Sequence, residues 1–371
     1  MNHAKLPPSS ASMWVKCSGW FKLNEHAPEE SDTEDSRLGT AVHELASFII
    51  DGQMPQIGES SSNGVIWDEE AIECAETYAN DVLFAVINSP YGDLRIESHV
   101  SINRVHKENS GTPDASLYDP TSNTLTVWDY KHGHGVVEVY ENWQLLDYAI
   151  GLLDVYDIDG SKDQTLTIIL KVVQPRSIHR DGSIREWRLS GVELRNYANI
   201  LAGAAQANFS DKAQSKSGTH CKYCKVRHIC PAALQTGLAM IEVSQQPIPF
   251  DLSSEAMGTL LSLIQRSKKH LESLEAGLEA QISSRLLAHE KIPNWEMSAT
   301  YGREKWNIPF DEAIGIGEMF GVDVRKKEII TPKQAIALGV DAELVKAYSI
   351  TPNNGLKLNQ IDPTRAKRTF L

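Results

Sequence analysis

Two stretches of the chain combine residue types suited to a single kind of chemistry. GTPDASLY (111–118) and TLTVWDYKHGHG (124–135) are joined by DPTSN, whose Asp, Pro, Ser and Asn are turn formers, so the two read as a β-hairpin. If Tyr118 pairs roughly with Thr124, Asp114 falls opposite Trp128, next to Asp129. Lys131 follows Asp129 by two, and the two-residue period of a strand points both side chains to one face. Two carboxylates and a lysine on one face suit magnesium-assisted hydrolysis of a phosphodiester. Hard oxygen ligands hold the cation, which polarises the phosphate and lowers the pKa of water. The lysine orients the nucleophile and offsets charge developing on the phosphoryl oxygens. An Asp-x-Lys triplet alone is common on surface strands, so the further residues decide the reading. Gln144 and Tyr148 are i and i+4 on a helical stretch and share a face. His43 can supply a neutral imidazole to the same cation.

The elements that must position these groups follow from hydrophobic period. Residues 36–51 put Leu38, Val42, Leu45 and Ile49 on one helical stripe with Gly52 as the stop, and 69–88 read as a second helix. Strand-like alternation follows in LRIESHVSI (94–102), TLTVWDY (124–130), QTLTIILKVV (164–173) and SIREWRLS (183–190), with a helix over 141–156. Strands, a helix and further strands predict a mixed α/β core over 94–190, with helices packed on it. Residues 191–210 read as helical. QQPIPFD (245–251) is a linker by its prolines, and 252–289 is a long helical stretch able to form a hairpin or a partner surface. The domain expectation is 1–235, a linker at 236–251 and a helical C-terminal extension over 252–371.

The order G-x-x-x-H (Gly39 to His43), G-T-P-D (Gly111 to Asp114), D-Y-K (Asp129 to Lys131) and Q-x-x-x-Y (Gln144 to Tyr148) resembles that of RecB- and AddB-type nucleases of the PD-(D/E)XK superfamily. The resemblance spans residues 17–230. DYKHGHG followed by NWQLLDY is similar to phage-encoded stand-alone members, including relatives of lambda exonuclease. What this implies is a restriction-endonuclease-like mixed sheet flanked by helices, and a Mg- or Mn-dependent deoxyribonuclease. His43, Asp114, Asp129 and the Tyr130 backbone carbonyl would bind the metal, Lys131 would be the catalytic lysine, and Gln144 and Tyr148 would contact DNA or position the site. Glu97 reads either as an additional acid or as a solvent-facing strand residue.

Cys221, Cys224 and Cys230 give C-x2-C-x5-C, and a tetrahedral metal site needs one more ligand from Cys17, His220 or His228. The resemblance places a single cysteine ahead of the histidine motif, where Cys17 stands, and so implies a 4Fe-4S cluster held by Cys17, Cys221, Cys224 and Cys230. A zinc site completed by histidine is the alternative. Cys74, in the apolar run AIECAETYA, reads as a buried helix residue.

Composition bounds the rest. At 371 residues and 41% hydrophobic content the chain can bury a sizeable core. A net charge of −13 argues against a broad basic footprint, although Lys212, Lys216, Lys222, Lys225 and Arg227 cluster, as do Arg365, Lys367 and Arg368. A carboxylate pocket that stays repulsive until a cation fills it is compatible with that balance. No apolar run approaches membrane-spanning length and MNHAKLPPSSASMW lacks a signal-peptide layout, so the expected location is cytoplasmic, the host cytoplasm for a phage protein. No G-x-x-x-x-G-K-[ST] occurs, which favours a stand-alone exonuclease in phage recombination or replication over a motor-coupled one. Its expected partners are DNA and, by resemblance, a single-strand-annealing protein. The competing readings are a structure-specific or restriction-like endonuclease and a DNA-binding or assembly module that keeps the fold without cutting.

Overall fold

The computed structural model describes residues 4–25, 27, 34–244 and 252–297. Most of the acidic stretch 25–35, the proline linker 245–251, the basic cluster at 365–368 and the rest of 298–371 lie outside the described residues.

Two short helices, α1 (Ala11–Trp14) and α2 (Trp20–Asn24), precede α3 (Glu34–Ile50) and α4 (Glu69–Ile87). Glu34 and Asp35 place negative charge at the positive end of α3. The helix stops where Gly52 turns left-handed at φ +82°. There the Gln53 N–H reaches the Phe48 carbonyl at 2.9 Å and the Gly52 N–H that of Ile49 at 3.0 Å, a Schellman closure. Asp68 caps α4 by accepting from the Ala71 N–H at 2.8 Å.

The strands follow: β1 (Asp93–Ile96), β2 (Val100–Ser101), β3 (Ser110–Gly111), β4 (Ala115–Asp119) and β5 (Thr124–Tyr130). Helix α5 (Trp143–Val155) leads to β6 (Thr167–Val173), β7 (Ile184–Ser190) and α6 (Gly191–Asn208). Asn142 caps α5 through the Gln144 and Leu145 N–H groups, and Ser190 with Glu193 forms a capping box on α6. A five-stranded sheet runs β1-β4-β5-β6-β7. Only β5 and β6 pair in parallel, and α5 makes the crossover that a parallel pair needs. The fold is α/β, with a mixed sheet flanked by helices and further helices after it, consistent with the restriction-endonuclease-like core expected.

Two details depart from the sequence reading. The run 94–102 is not one strand: the backbone turns left-handed at Glu97, φ +44°, and β2 pairs with β3 in a separate two-stranded sheet. The β4–β5 register is also one residue further along, with Tyr118 opposite Leu125 and Ala115 opposite Trp128, so Asp114 is directly across from Asp129. The Asp119 carboxylate accepts from the Thr121 N–H and the Ser122 hydroxyl, both at 2.8 Å, which draws Asp119 into the strand and shortens the turn.

Alternation along β5 divides the core. Leu125 and Val127 pack with α5, α6 and the N-terminal helices, whereas Trp128 and Tyr130 pack with α3 and α4. On the α4 side Asp81 receives the Trp128 indole N–H at 2.7 Å and the Lys171 ammonium at 2.8 Å, fixing that helix to two strands. After α6, a 3-10 turn (Thr219–Tyr223) carries Cys221 and precedes α7 (Pro231–Ser244) and α8 (Ser254–Leu287). Residues 236–244, inside the stretch expected to be a linker, continue α7. The stretch 252–289 forms no hairpin of its own but one continuous helix, α8, which packs against α7.

Asp147 on α5 is fully buried, and among the described residues its hydrogen-bond donor is the Asn109 amide, at 2.9 Å from both carboxylate oxygens. Burial pushes its carboxyl up to about 8. The folded chain therefore holds a proton there that the unfolded chain releases above about pH 4, and stability falls as pH rises through this window to about 8. Asp147→Asn should flatten that dependence, removing on the order of 1 kcal/mol per pH unit between pH 5 and 7. Urea unfolding of both proteins across pH 5–8 reads it; parallel curves would refute the assignment.

Candidate metal centre

The register of the sheet places three acids in one cross-strand row. Continuing β1–β4 one step puts Glu97 beside Asp114, and the Glu97 N–H donates to the Asp114 carbonyl at 3.1 Å. Continuing β4–β5 puts Asp114 beside Asp129. Helix α3 brings His43 over the row: its Nδ1 lies 3.6 Å from Asp114 Oδ1 and 3.7 Å from Glu97 Oε1. Among the described residues, His43, Glu97 and Asp114 form a group whose ligand atoms all lie within 4.8 Å of one another, and it could hold a metal ion. Ligands bonded to a small hard cation at about 2.1 Å stand roughly 3–4 Å apart, so the spacing suits one.

Asp129 differs in surroundings. It lies on the α5 face with its side chain only 2% exposed, and its Oδ1 accepts from Lys131 Nζ at 2.8 Å and Gln144 Nε2 at 2.9 Å. Its Oδ2 is enclosed and has no hydrogen-bond partner among the described residues. A buried anionic oxygen without a donor is costly, and a cation bound against it would remove the cost. Tyr130 enters through its backbone: the N–H donates to Asp114 Oδ2 at 2.6 Å. Its ring turns to the opposite face, edge-on to His43 at 5.1 Å between centroids.

The charges reflect this crowding. Burial, with Asp129 adding to it and His43 and Lys131 opposing, raises the Asp114 carboxyl to about 6. Burial disfavours charge on His43 and Lys131, but Asp114 and Glu97 more than offset it for the imidazole, and Asp129 and Asp114 for the ammonium, so both are raised. Lys131 is thus held protonated, a donor and not a base. Tyr148 packs beside Gly111, where a Cβ would come within 2.9 Å of its ring. Burial, then Asp114 and Asp129, raise its hydroxyl, and a hydrogen bond with Gln144 opposes them.

The structure thus brings together His43, Asp114, Asp129, Lys131, Gln144 and Tyr148, and sets Glu97 in the row. Tyr78 joins the site unannounced by its sequence: its buried hydroxyl lacks a partner among the described residues and has Asp114, Glu97 and Asp129 as its foremost charged neighbours. So does Gln174. That side chain donates to the Gly133 and Gly135 carbonyls at 2.7 and 2.8 Å, while its Oε1 accepts from Arg185 at 2.7 Å, holding the loop between Lys131 and α5. A tyrosine on the apolar stripe of α4 gives no sign in sequence; a glutamine ending an apolar strand gives a faint one.

The cysteines gather elsewhere. Cys17, Cys221 and Cys230 are buried and Cys224 is half-buried. Burial raises the Cys17 thiol, and Cys230 and Cys224 add to it; the Cys221 thiol is raised by burial and by Cys224, Cys230 and Cys17. N–H groups of Lys216 and Gly218 point at the sulfurs of Cys17 and Cys221, each at 3.4 Å, and the Asn24 amide at that of Cys224, 3.7 Å away. The His220 ring meets the Lys216 carbonyl at 2.9 Å, and His228 packs against Gly277 of α8. Cys74 is apart on α4, buried, its thiol pushed up to about 11 by burial.

Fold and site together define a mixed α/β protein with a candidate metal centre at one end of its sheet. Residues 3–332 match the family described as "Protein of unknown function (DUF2800)", and the chain belongs to that family. Among solved structures it is similar to a "Putative exonuclease" from Eubacterium rectale, at 10% identity and a TM-score of 0.34 over 67% of this chain and 90% of that one. It is also similar to SSO0001, at 16% identity and a TM-score of 0.24 over 59% of this chain and 95% of that one. No helix among the described residues is long and apolar enough to cross a membrane.

Replacing a ligand should weaken cation binding without unfolding the chain. His43→Ala and Glu97→Gln should each lower Mn affinity by at least roughly tenfold in calorimetric titration. Unchanged affinity in both would remove the group as a metal site.

Proposed function

We propose that this protein is a Mg- or Mn-dependent deoxyribonuclease that hydrolyses phosphodiester bonds. The observation that carries the reading is the juxtaposition of His43, Glu97 and Asp114 with a buried, half-satisfied Asp129 and a protonated Lys131. His43, Glu97, Asp114 and Asp129 would hold the cation, which supplies polarisation of the phosphate and a lowered water pKa when bound. Lys131 presents its ammonium to the phosphoryl oxygens as negative charge grows there. Gln144 ties Asp129 and Lys131 together, at 2.9 and 3.5 Å, so that carboxylate and ammonium keep one geometry as substrate enters. Tyr148, one turn on, supports Gln144 from the α5 side.

The motif resemblance extends the reading to a stand-alone exonuclease in phage DNA recombination or replication, working beside a single-strand-annealing protein. End-labelled linear DNA and closed circular DNA incubated with Mg, Mn or chelator test it: digestion of linear DNA alone, abolished by chelator, is the expected result. Asp114→Asn, Asp129→Asn and Lys131→Met should each lower the rate by about a thousandfold or more with the fold retained. Cleavage at the wild-type rate by folded Asp129→Asn would overturn the site, and cutting of circular DNA would make the enzyme an endonuclease.

The motif resemblance extends the reading to a 4Fe-4S cluster held by Cys17, Cys221, Cys224 and Cys230 as a structural clamp, with N–H groups directed at three of those sulfurs. Anaerobically purified protein should be brown and contain about four irons per chain. Cys17→Ser should lose both the colour and thermal stability, whereas Cys74→Ser should keep them. Colourless protein with one zinc per chain would replace the cluster by a zinc site.

A further inference from the structure

Among the described residues, one face of the paired α7 and α8 carries no partner. The inner side of α8 is committed: the His270 ring meets the Ala233 carbonyl at 2.9 Å, and the Ser273 carbonyl accepts from Arg227 at 2.9 Å. Leu274 is buried, and a Cβ at Gly277 would meet Arg227 at 2.9 Å. Beside that committed side, Met257, Ile264, Leu271 and Leu278 recur every seven residues and stay exposed, at 52, 53, 41 and 46%. A seven-residue apolar repeat is the pattern by which two helices pack along a shared seam.

We propose that this stripe is a self-association surface on which α8 of a second copy of the chain docks antiparallel. The charges beside the stripe argue for that occupant. On the flank of the stripe Lys268 is exposed in the first part, and Glu272, Glu275 and Glu279 in the second. A two-fold axis at Leu271 sets Ile264 opposite Leu278 of the second copy and Lys268 opposite Glu275 of the second copy. The neighbouring line behaves alike, since Leu261 then faces Ile282. An in-register parallel pair would instead set the flank bearing Lys268 and Glu275 away from its own symmetry mate, and that charge pairing would be lost. Isologous contacts of this kind are self-complementary by symmetry. Lys268 also reaches Glu272 of its own helix at 3.7 Å, an exposed pair that an intermolecular one can replace. The inference is independent of the nuclease reading.

Sedimentation equilibrium of the full chain at tens of micromolar tests it. The expected mass is twice the 41.2 kDa of the chain. Ile264→Asp should give monomer with an unchanged circular dichroism spectrum. Lys268→Glu and Glu275→Lys should each weaken the dimer about tenfold, because every replacement alters two symmetry-related pairs. The double variant Lys268→Glu/Glu275→Lys should restore the wild-type dissociation constant. A monomeric wild-type chain would overturn the proposal and assign the stripe to another partner or to residues of this chain beyond α8. A dimer indifferent to all three single replacements would overturn it by placing the interface elsewhere.

Discussion

Three carboxylates in adjacent register positions at one end of a sheet are the constraint around which the rest is arranged. Glu97, Asp114 and Asp129 follow one another across β1, β4 and β5. Like charges this close, partly out of water, repel strongly, and the sheet cannot relieve them without giving up its ladder. Local groups offset the repulsion only in part. Lys131 and Gln144 satisfy one oxygen of Asp129, the Tyr130 N–H one oxygen of Asp114, and His43 bridges the other two acids. One oxygen of Asp129 is left without a hydrogen bond among the described residues. The shortfall has the sign and the place that a divalent cation would fill.

The two faces of the sheet divide the work of holding this arrangement. Helices α3 and α4 cover the Trp128–Tyr130 side and deliver His43 and Tyr78 from it, whereas α5 covers the Leu125–Val127 side and delivers Gln144. The row of acids is therefore approached by protein from both sides, and its position depends on both cores packing at once. Asp81, bonded to Trp128 and Lys171, ties one cover to the sheet, and Gln174 with Arg185 ties the loop leading to the other. The chain ends of this core are joined separately: Gly19 and Ser18 bond to Gln214, and Asn208 to the Trp14 carbonyl, next to the gathered cysteines. A Cβ at Gly19 would come within 2.5 Å of the Ser215 nitrogen, so the junction admits no side chain there.

Much of this was legible because it rests on period. Strand β5 matches the alternating run 124–130, and α4 matches 69–88 to one residue, since apolar spacing and a capping Asp68 both mark it. The hairpin register was missed by one because the turn is decided by Asp119, whose side chain folds back on Thr121 and Ser122. A pattern of hydrophobic residues cannot report that choice. Glu97 was ambiguous for a similar reason: alternation extends a strand through it, whereas the backbone there turns left-handed and aims the carboxylate at His43. Tyr78 and Gln174 act across the fold, on residues far off in sequence, and nothing in their own surroundings announces it.

Burial grades the row, and the grading has a consequence for how a substrate would reach it. Glu97 is 45% exposed, His43 29%, Asp114 15% and Asp129 2%. Asp129 thus forms the floor, and the open side is the one bearing Glu97 and His43. Lys131, 31% exposed, reaches from the floor toward solvent. On the nuclease reading a phosphodiester would enter past the exposed acid only once a cation had cancelled its repulsion, and would meet the ammonium before the buried carboxylate. The most buried acid is then left to hold geometry, tied to Gln144 and Lys131. Selectivity for a cation-loaded site would arise from the order in which these charges are met, with no moving part required.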